Sequence, residues 1–181
     1  MSKLRLATVW LGGCSGCHMS LLDIDEWLIE LAGQVDLVYS PLVDAKEYPT
    51  GVDLVLVEGA VANHDHLRMI REVRERSKLL ISFGDCAVTG NVTALRNVLG
   101  TAAPILQMVY AERADIQPQL PYEPGIVPVL LDRVEPVHAI VPVDLYLPGC
   151  PPPAARIRAL LEQLLAGVAP QLVGREMIKF G

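Results

Sequence analysis

The sequence predicts an α/β fold: a flavodoxin-like, doubly wound parallel sheet with a proline-rich insertion before the last strand. Three observations lead there. Apolar runs of strand length alternate with stretches of helical period, the signature of successive strand-helix units. The strand candidates are near-continuous in Val, Leu and Ile, as expected of strands covered on both faces. Most of these runs stop at glycine or proline, which break strands and open the loops that follow.

Taken in order, residues 4–10 are apolar and β-branched and form the first strand, ending before Gly12-Gly13. Leu21, Leu22, Ile24, Leu28 and Leu31 recur at helical spacing and predict one helix over 20–31. Residues 35–39 make a short strand before Pro41, and 52–57 a fully apolar one before Glu58-Gly59. Asn63 or Asp65 caps the next helix, which runs to about Arg76. Strands 78–83 and 143–147 end at Gly84 and at Pro148-Gly149, and 154–165 is helical. Residues 167–181 read as an arm over the surface. The exception is 101–142, which holds Pro104, Pro118, Pro121, Pro124, Pro128, Pro136 and Pro142 and no sustained period. It predicts an irregular excursion with one short helix, of a length that is functional or packed against a partner. With 181 residues and 51% hydrophobic content, the whole of 1–181 reads as one domain with one sizeable core.

Composition narrows the function. Fifteen basic against 21 acidic side chains give a formal charge of -6, without the basic footprint that nucleic acids require. No apolar run approaches the roughly 18 residues of a membrane span. Leu11-Gly-Gly-Cys14 has the look of a lipoprotein cleavage site, but the apolar core before it is too short for a signal peptide. No twin-arginine pair is present. The expected location is cytoplasmic, where cysteines bind metal or do redox chemistry more often than they form disulfides.

The chain has four cysteines. Cys14 and Cys17 follow the first predicted strand, Cys86 the fourth and Cys150 the fifth. All therefore fall at the carboxyl edge, where open doubly wound sheets bind their ligands. Glycines flank each position and let the backbone approach a bulky group. A cubane 4Fe-4S cluster takes one thiolate per iron, so the residues predict one such cluster on Cys14, Cys17, Cys86 and Cys150. Turn amides and helix starts would offset its charge and lower the thiol pKa values. Pro151, Pro152 and Pro153 sit where a helix begins and would stiffen the approach to Cys150. Two other uses compete. A redox-active Cys-x-x-Cys leaves Cys86 and Cys150 unexplained, and structural zinc sites usually bring their cysteines in close pairs rather than as a pair plus two distant single residues.

Glu58 ends a strand at the same edge and is a candidate for tuning the cluster or relaying protons, with a helix-capping or ion-pair role as the alternative. Asp85 carries the same two readings. His18 is expected to be a hydrogen-bonded loop histidine. His64, His66 and His138 lack metal-ligand spacing, and Arg68, Arg71, Arg74 and Arg76 read as a solvated helix face. No catalytic residue is assigned.

Trp10-Leu-Gly-Gly-Cys14-Ser-Gly-Cys17-His-Met-Ser, Val57-Glu58-Gly59, Gly84-Asp-Cys86-Ala-Val-Thr-Gly90 and Leu147-Pro-Gly-Cys150-Pro-Pro-Pro153 resemble the proximal-cluster motifs of nickel-iron hydrogenase small subunits. That superfamily includes the 20 kDa-type subunit of respiratory complex I, which typically has adjacent cysteines where this chain has Cys14-Ser-Gly-Cys17. No cysteine follows Cys150, so the resemblance implies the proximal cluster alone. This short form is similar to the small subunit of cytoplasmic, bidirectional NAD-reducing hydrogenases. The resemblance implies electron transfer between a large subunit holding the nickel-iron centre and a diaphorase pair with flavin and iron-sulfur clusters, in a hydrogen:NAD+ oxidoreductase. Related members suggest other acceptors: NADP, deazaflavin, heterodisulfide or sulfur. An FMN carrier is a further alternative on fold grounds, although the first loop has cysteines where a phosphate loop would place Ser, Thr and Gly.

Overall fold

The structure is a computed structural model and describes residues 3–180. Its strands are β1 (Leu4–Trp10), β2 (Val35–Tyr39), β3 (Val52–Glu58), β4 (Val61–Asn63), β5 (Ser77–Phe83), β6 (Leu130–Glu135) and β7 (Leu145–Leu147). Five of them form one parallel sheet in the order β2-β1-β3-β5-β7. Counted within that sheet, this is the 2-1-3-4-5 flavodoxin-like order that the sequence predicts.

Strand β3 lies in the middle and explains why the runs are apolar throughout. Alternate residues point to opposite faces. Leu54 and Leu56 pack with Leu6, Ile81, Phe83 and Leu147 on one side, and Val55 and Val57 pack with Ala7, Val9 and Leu80 on the other. The first face is covered by helices α1 (Gly16–Leu22), α2 (Trp27–Gln34) and α7 (Ala154–Leu165), through Leu21, Trp27, Leu31, Ile157 and Leu160. The second is covered by α3 (His64–Arg76), through Ile70 and Val73. Asn63 caps α3, its Oδ1 accepting from the His66 N–H at 2.8 Å.

Three expectations change. The helix predicted over 20–31 is two helices, broken at Asp25, which has a positive φ of 55°. Leu21, Ile24, Trp27 and Leu31 all reach the same core, so the apolar period runs through a break that it cannot reveal. Downstream of β5, the short helices α4 (Asp85–Thr89) and α5 (Asn91–Ala94) meet at Gly90, where φ is 85°. The excursion is more regular than predicted. It contains α6 (Ala102–Leu106), a wide-turn continuation over Gln107–Glu112, and β6, which pairs antiparallel with β4. Asn97 holds β6 through both atoms of its side-chain amide, donating to Val134 O at 2.9 Å and accepting from Val134 N–H at 2.8 Å. Finally, Arg74 and Arg76 do not belong to a solvated face. Arg74 donates to Asp144 Oδ2 at 2.6 Å and to Ser77 O at 2.7 Å, and Arg76 donates to Tyr48 O, so both tie α3 to the sheet and its connections.

The segment beyond 167 includes α8 (Arg175–Ile178). It returns to the body of the protein where Arg156 donates to Lys179 O at 2.9 Å. Among the described residues, no helix is long and apolar enough to cross a membrane.

Candidate metal centre

Because every strand of the main sheet runs the same way, the loops that follow them meet at one edge. Cys14 lies in the loop after β1, Cys17 in the first turn of α1, Cys86 at the start of α4, and Cys150 in the turn between β7 and α7. All four are free thiols, with Cys17 and Cys86 buried and Cys14 and Cys150 exposed. They lie within electrostatic reach of one another. Burial, the Glu58 carboxylate and the other three thiols hold the Cys17 pKa well above its ordinary value. Burial also raises Cys86, with hydrogen bonding from Thr93 opposing and Cys14 and Cys150 adding to the rise.

This is opposite to the lowering expected from helix starts. Burial of the thiolate dominates. A coordinated cation reverses that balance, since a ligating thiol is deprotonated outright. Among the described residues, no three His, Cys, Asp or Glu side chains converge closely enough to ligate one ion. What joins the four thiols is therefore mutual electrostatic reach rather than a closed coordination shell.

The surroundings fit a bulky, anionic sulfur-ligated group. A Cβ on Gly84 would lie 2.2 Å from Cys17 Sγ, and its φ of 82° is one that side chains rarely adopt. The space beside that sulfur exists because residue 84 is glycine. Donors face sulfur as well: Gly16 N–H lies 3.4 Å from Cys14 Sγ and Asn91 Nδ2 lies 3.4 Å from Cys150 Sγ. Such donors favour thiolates, and hydrogen bonds to sulfur tune iron-sulfur centres.

Glu58 is 1% exposed and reaches from the end of β3 to the start of α1. Its Oε2 accepts from His18 N–H at 2.9 Å and contacts His18 Nδ1, and its Oε1 accepts from Cys17 N–H at 3.4 Å. These contacts are of the helix-capping kind, and one of the amides that Glu58 holds is that of Cys17. His18 is not a loop residue. It lies in α1, buried, with its ring edge-on to Phe83. His66 sits apart from the thiols in the capping turn of α3, its Nδ1 accepting from Ala62 N–H at 3.3 Å, and His138 packs on Tyr146.

Sequence reasoning missed Asn91, Thr93 and Ser20. Thr93 donates to Gly12 O at 2.9 Å, and Ser20 donates to Pro152 O at 2.6 Å. Each joins one cysteine loop to another. The available signal was the amide and hydroxyl cluster Gly90-Asn91-Val92-Thr93 just past Cys86.

The family described as NADH ubiquinone oxidoreductase, 20 Kd subunit, matches residues 14–164 and so takes in all four cysteines. The chain belongs to that family. Its relatives there include hydrogenase subunits. A vhu subunit of the F420-non-reducing hydrogenase of Methanocaldococcus jannaschii is 37% identical over 171 residues, covering 93% of this chain and 58% of that protein. The NAD-reducing hydrogenase HoxS subunit delta of Cupriavidus necator is 37% identical over 169 residues, covering 91% of this chain and 80% of that one. A chain in the crystal structure of an NAD+-reducing nickel-iron hydrogenase in the H2-reduced state matches with TM-score 0.93 and 37% identity, covering 99% of this chain and 100% of that one. The chain spans less than two thirds of the length of its relatives from F420-non-reducing hydrogenases.

Proposed function

We propose that this chain is the electron-transfer subunit of a cytoplasmic nickel-iron hydrogenase that reduces NAD+ with H2, holding one 4Fe-4S cluster on Cys14, Cys17, Cys86 and Cys150. The observation that carries this reading is the placement of four free thiols on the three loops that follow β1, β5 and β7, all at the carboxyl edge of one parallel sheet. When bound, the cluster supplies one-electron transfer. The chain's own residues shape its surroundings: Gly84 leaves room beside Cys17, Gly16 and Asn91 donate toward sulfur, and Glu58 fixes the Cys17 amide. No residue of this chain is given a catalytic role. The nickel-iron centre belongs to a large partner subunit, and a diaphorase accepts the electrons.

The end-to-end match to the chain of an NAD+-reducing enzyme supports NAD+ as the acceptor. Exposed apolar side chains in the excursion, among them Ile116, Tyr122 and Ile126, support partner contact by that segment. A second reading keeps the cluster and changes the acceptor. The similarly high identity to proteins of F420-non-reducing hydrogenases favours it.

The test begins with anaerobic iron and acid-labile sulfide analysis of the purified chain and an electron paramagnetic resonance spectrum after dithionite reduction. About four irons and four sulfides per chain are expected of a cube. Zinc without sulfide, or flavin without iron, overturns the reading. The complex purified through this chain should then reduce NAD+ under H2. A cluster-bearing complex that passes electrons only to another acceptor establishes the second reading instead.

A further inference from the structure

The turn over 148–153 has no regular secondary structure, yet it must present Cys150 to three thiols on other loops. Its main chain is fixed from outside. Arg156 donates to Pro148 O at 2.6 Å and Ser20 donates to Pro152 O at 2.6 Å. The third tether is reciprocal: Gly149 N–H donates to Asp85 Oδ1 at 2.6 Å, and Asp85 N–H donates to Gly149 O at 2.9 Å. Asp85 immediately precedes Cys86, and Gly149 immediately precedes Cys150. The pair therefore joins two proposed ligand turns one residue from each thiol, across 64 positions of sequence. Just below it, Gly84 N–H donates to Leu147 O at 2.8 Å, so the β5–β7 pairing leads directly into the clamp. Asp85 is buried, and a short bond from an amide to a carboxylate is stronger than one to a neutral acceptor.

Building on the cluster reading above, we propose that Asp85 is a positioning residue. Its side chain locks the Cys150 turn to the Cys86 turn, so that thiols from β5 and β7 are presented as one rigid unit. Its charge, buried beside the electron carrier, also disfavours added negative charge there and keeps the reduction potential lower than a neutral side chain would. Asparagine separates these two effects, because its carbonyl oxygen can still accept from Gly149 while carrying no charge.

The full-length chain with its cluster, and its Asp85→Asn and Asp85→Ala variants, are compared anaerobically. Iron release to a ferrous chelator and the midpoint potential by spectroscopic titration are measured on each. Asp85→Ala should release iron about 10- to 100-fold faster than the unmodified chain, the usual range for losing a partner that orients a metal ligand. Asp85→Asn should release iron about as slowly as the unmodified chain and show a more positive potential. An unchanged potential in Asp85→Asn, or unchanged release in a folded Asp85→Ala, overturns the proposal. If Asp85→Ala does not fold, the potential of Asp85→Asn decides alone. An unmodified chain that binds neither iron nor sulfide overturns the cluster reading itself, whereas a normal cluster unaffected by both variants overturns the role of Asp85 only.

Discussion

Single residues around the thiols have consequences out of proportion to their size. A methyl group at Gly84 would collide with Cys17 Sγ and strain a backbone at φ 82°. Gly84→Ala should therefore yield protein with little or no cluster, read as iron and sulfide per chain. Cys86→Ala should abolish cluster assembly and H2-dependent NAD+ reduction in the complex. His66→Ala should leave both largely intact, since that ring serves the α3 turn and not the thiols. The carboxyl-edge placement of the cysteines and Glu58 was legible in the sequence because each follows a strand within a few residues or ends one. His18 was not, because its burial depends on α1 lying against Glu58 and Phe83. Ser20, Asn91 and Thr93 are ordinary polar residues until folding places a neighbouring loop against them.

Capping and charge pairing act on whole elements. Asn63 caps α3 through its side-chain oxygen, and Asn63→Ala should cost about 1 kcal/mol of stability, measured by urea unfolding. At the amino ends of the strands, Lys78 Nζ donates to Asp53 Oδ1 at 2.7 Å and Arg5 N–H donates to Oδ2 at 2.9 Å. The Lys78 bond first, then that of Arg5, holds the Asp53 carboxyl below its ordinary range. A carboxyl lowered in the folded state adds stability at pH values above its unfolded pKa, and that stability fades as pH falls through the folded one. Thermal melts should show the wild type losing more stability than Asp53→Asn as pH drops below about 4. Element boundaries were less legible than element identities. Asp25 breaks the predicted helix without disturbing the apolar period, and β6 mixes Asp132 and Arg133 into a ribbon that lies outside the main sheet.

Across the whole molecule, the sheet has one job in its middle and another at its end: the buried middle holds two helical layers, and the carboxyl edge gathers the cysteine loops. Leu56 is fully buried in the core beneath α1, α2 and α7. Leu56→Ala should cost about 2–5 kcal/mol in urea unfolding. The sequence by itself determined that the protein has a parallel sheet, which segments form it, and that every cysteine lies at one edge. It could do so because all strands of a parallel sheet point the same way, so position after a strand is enough to locate an end. Only the tertiary structure decided which loops touch. With β7 beside β5, Gly149 meets Asp85; with β3 beside β1, Glu58 meets Cys17 and His18; and β4 finds β6 outside the sheet. Those pairings join residues far apart in the chain, and their energy comes from burial and hydrogen bonds formed between distant segments. Local periodicity records which face of an element is apolar, not which partner will cover it.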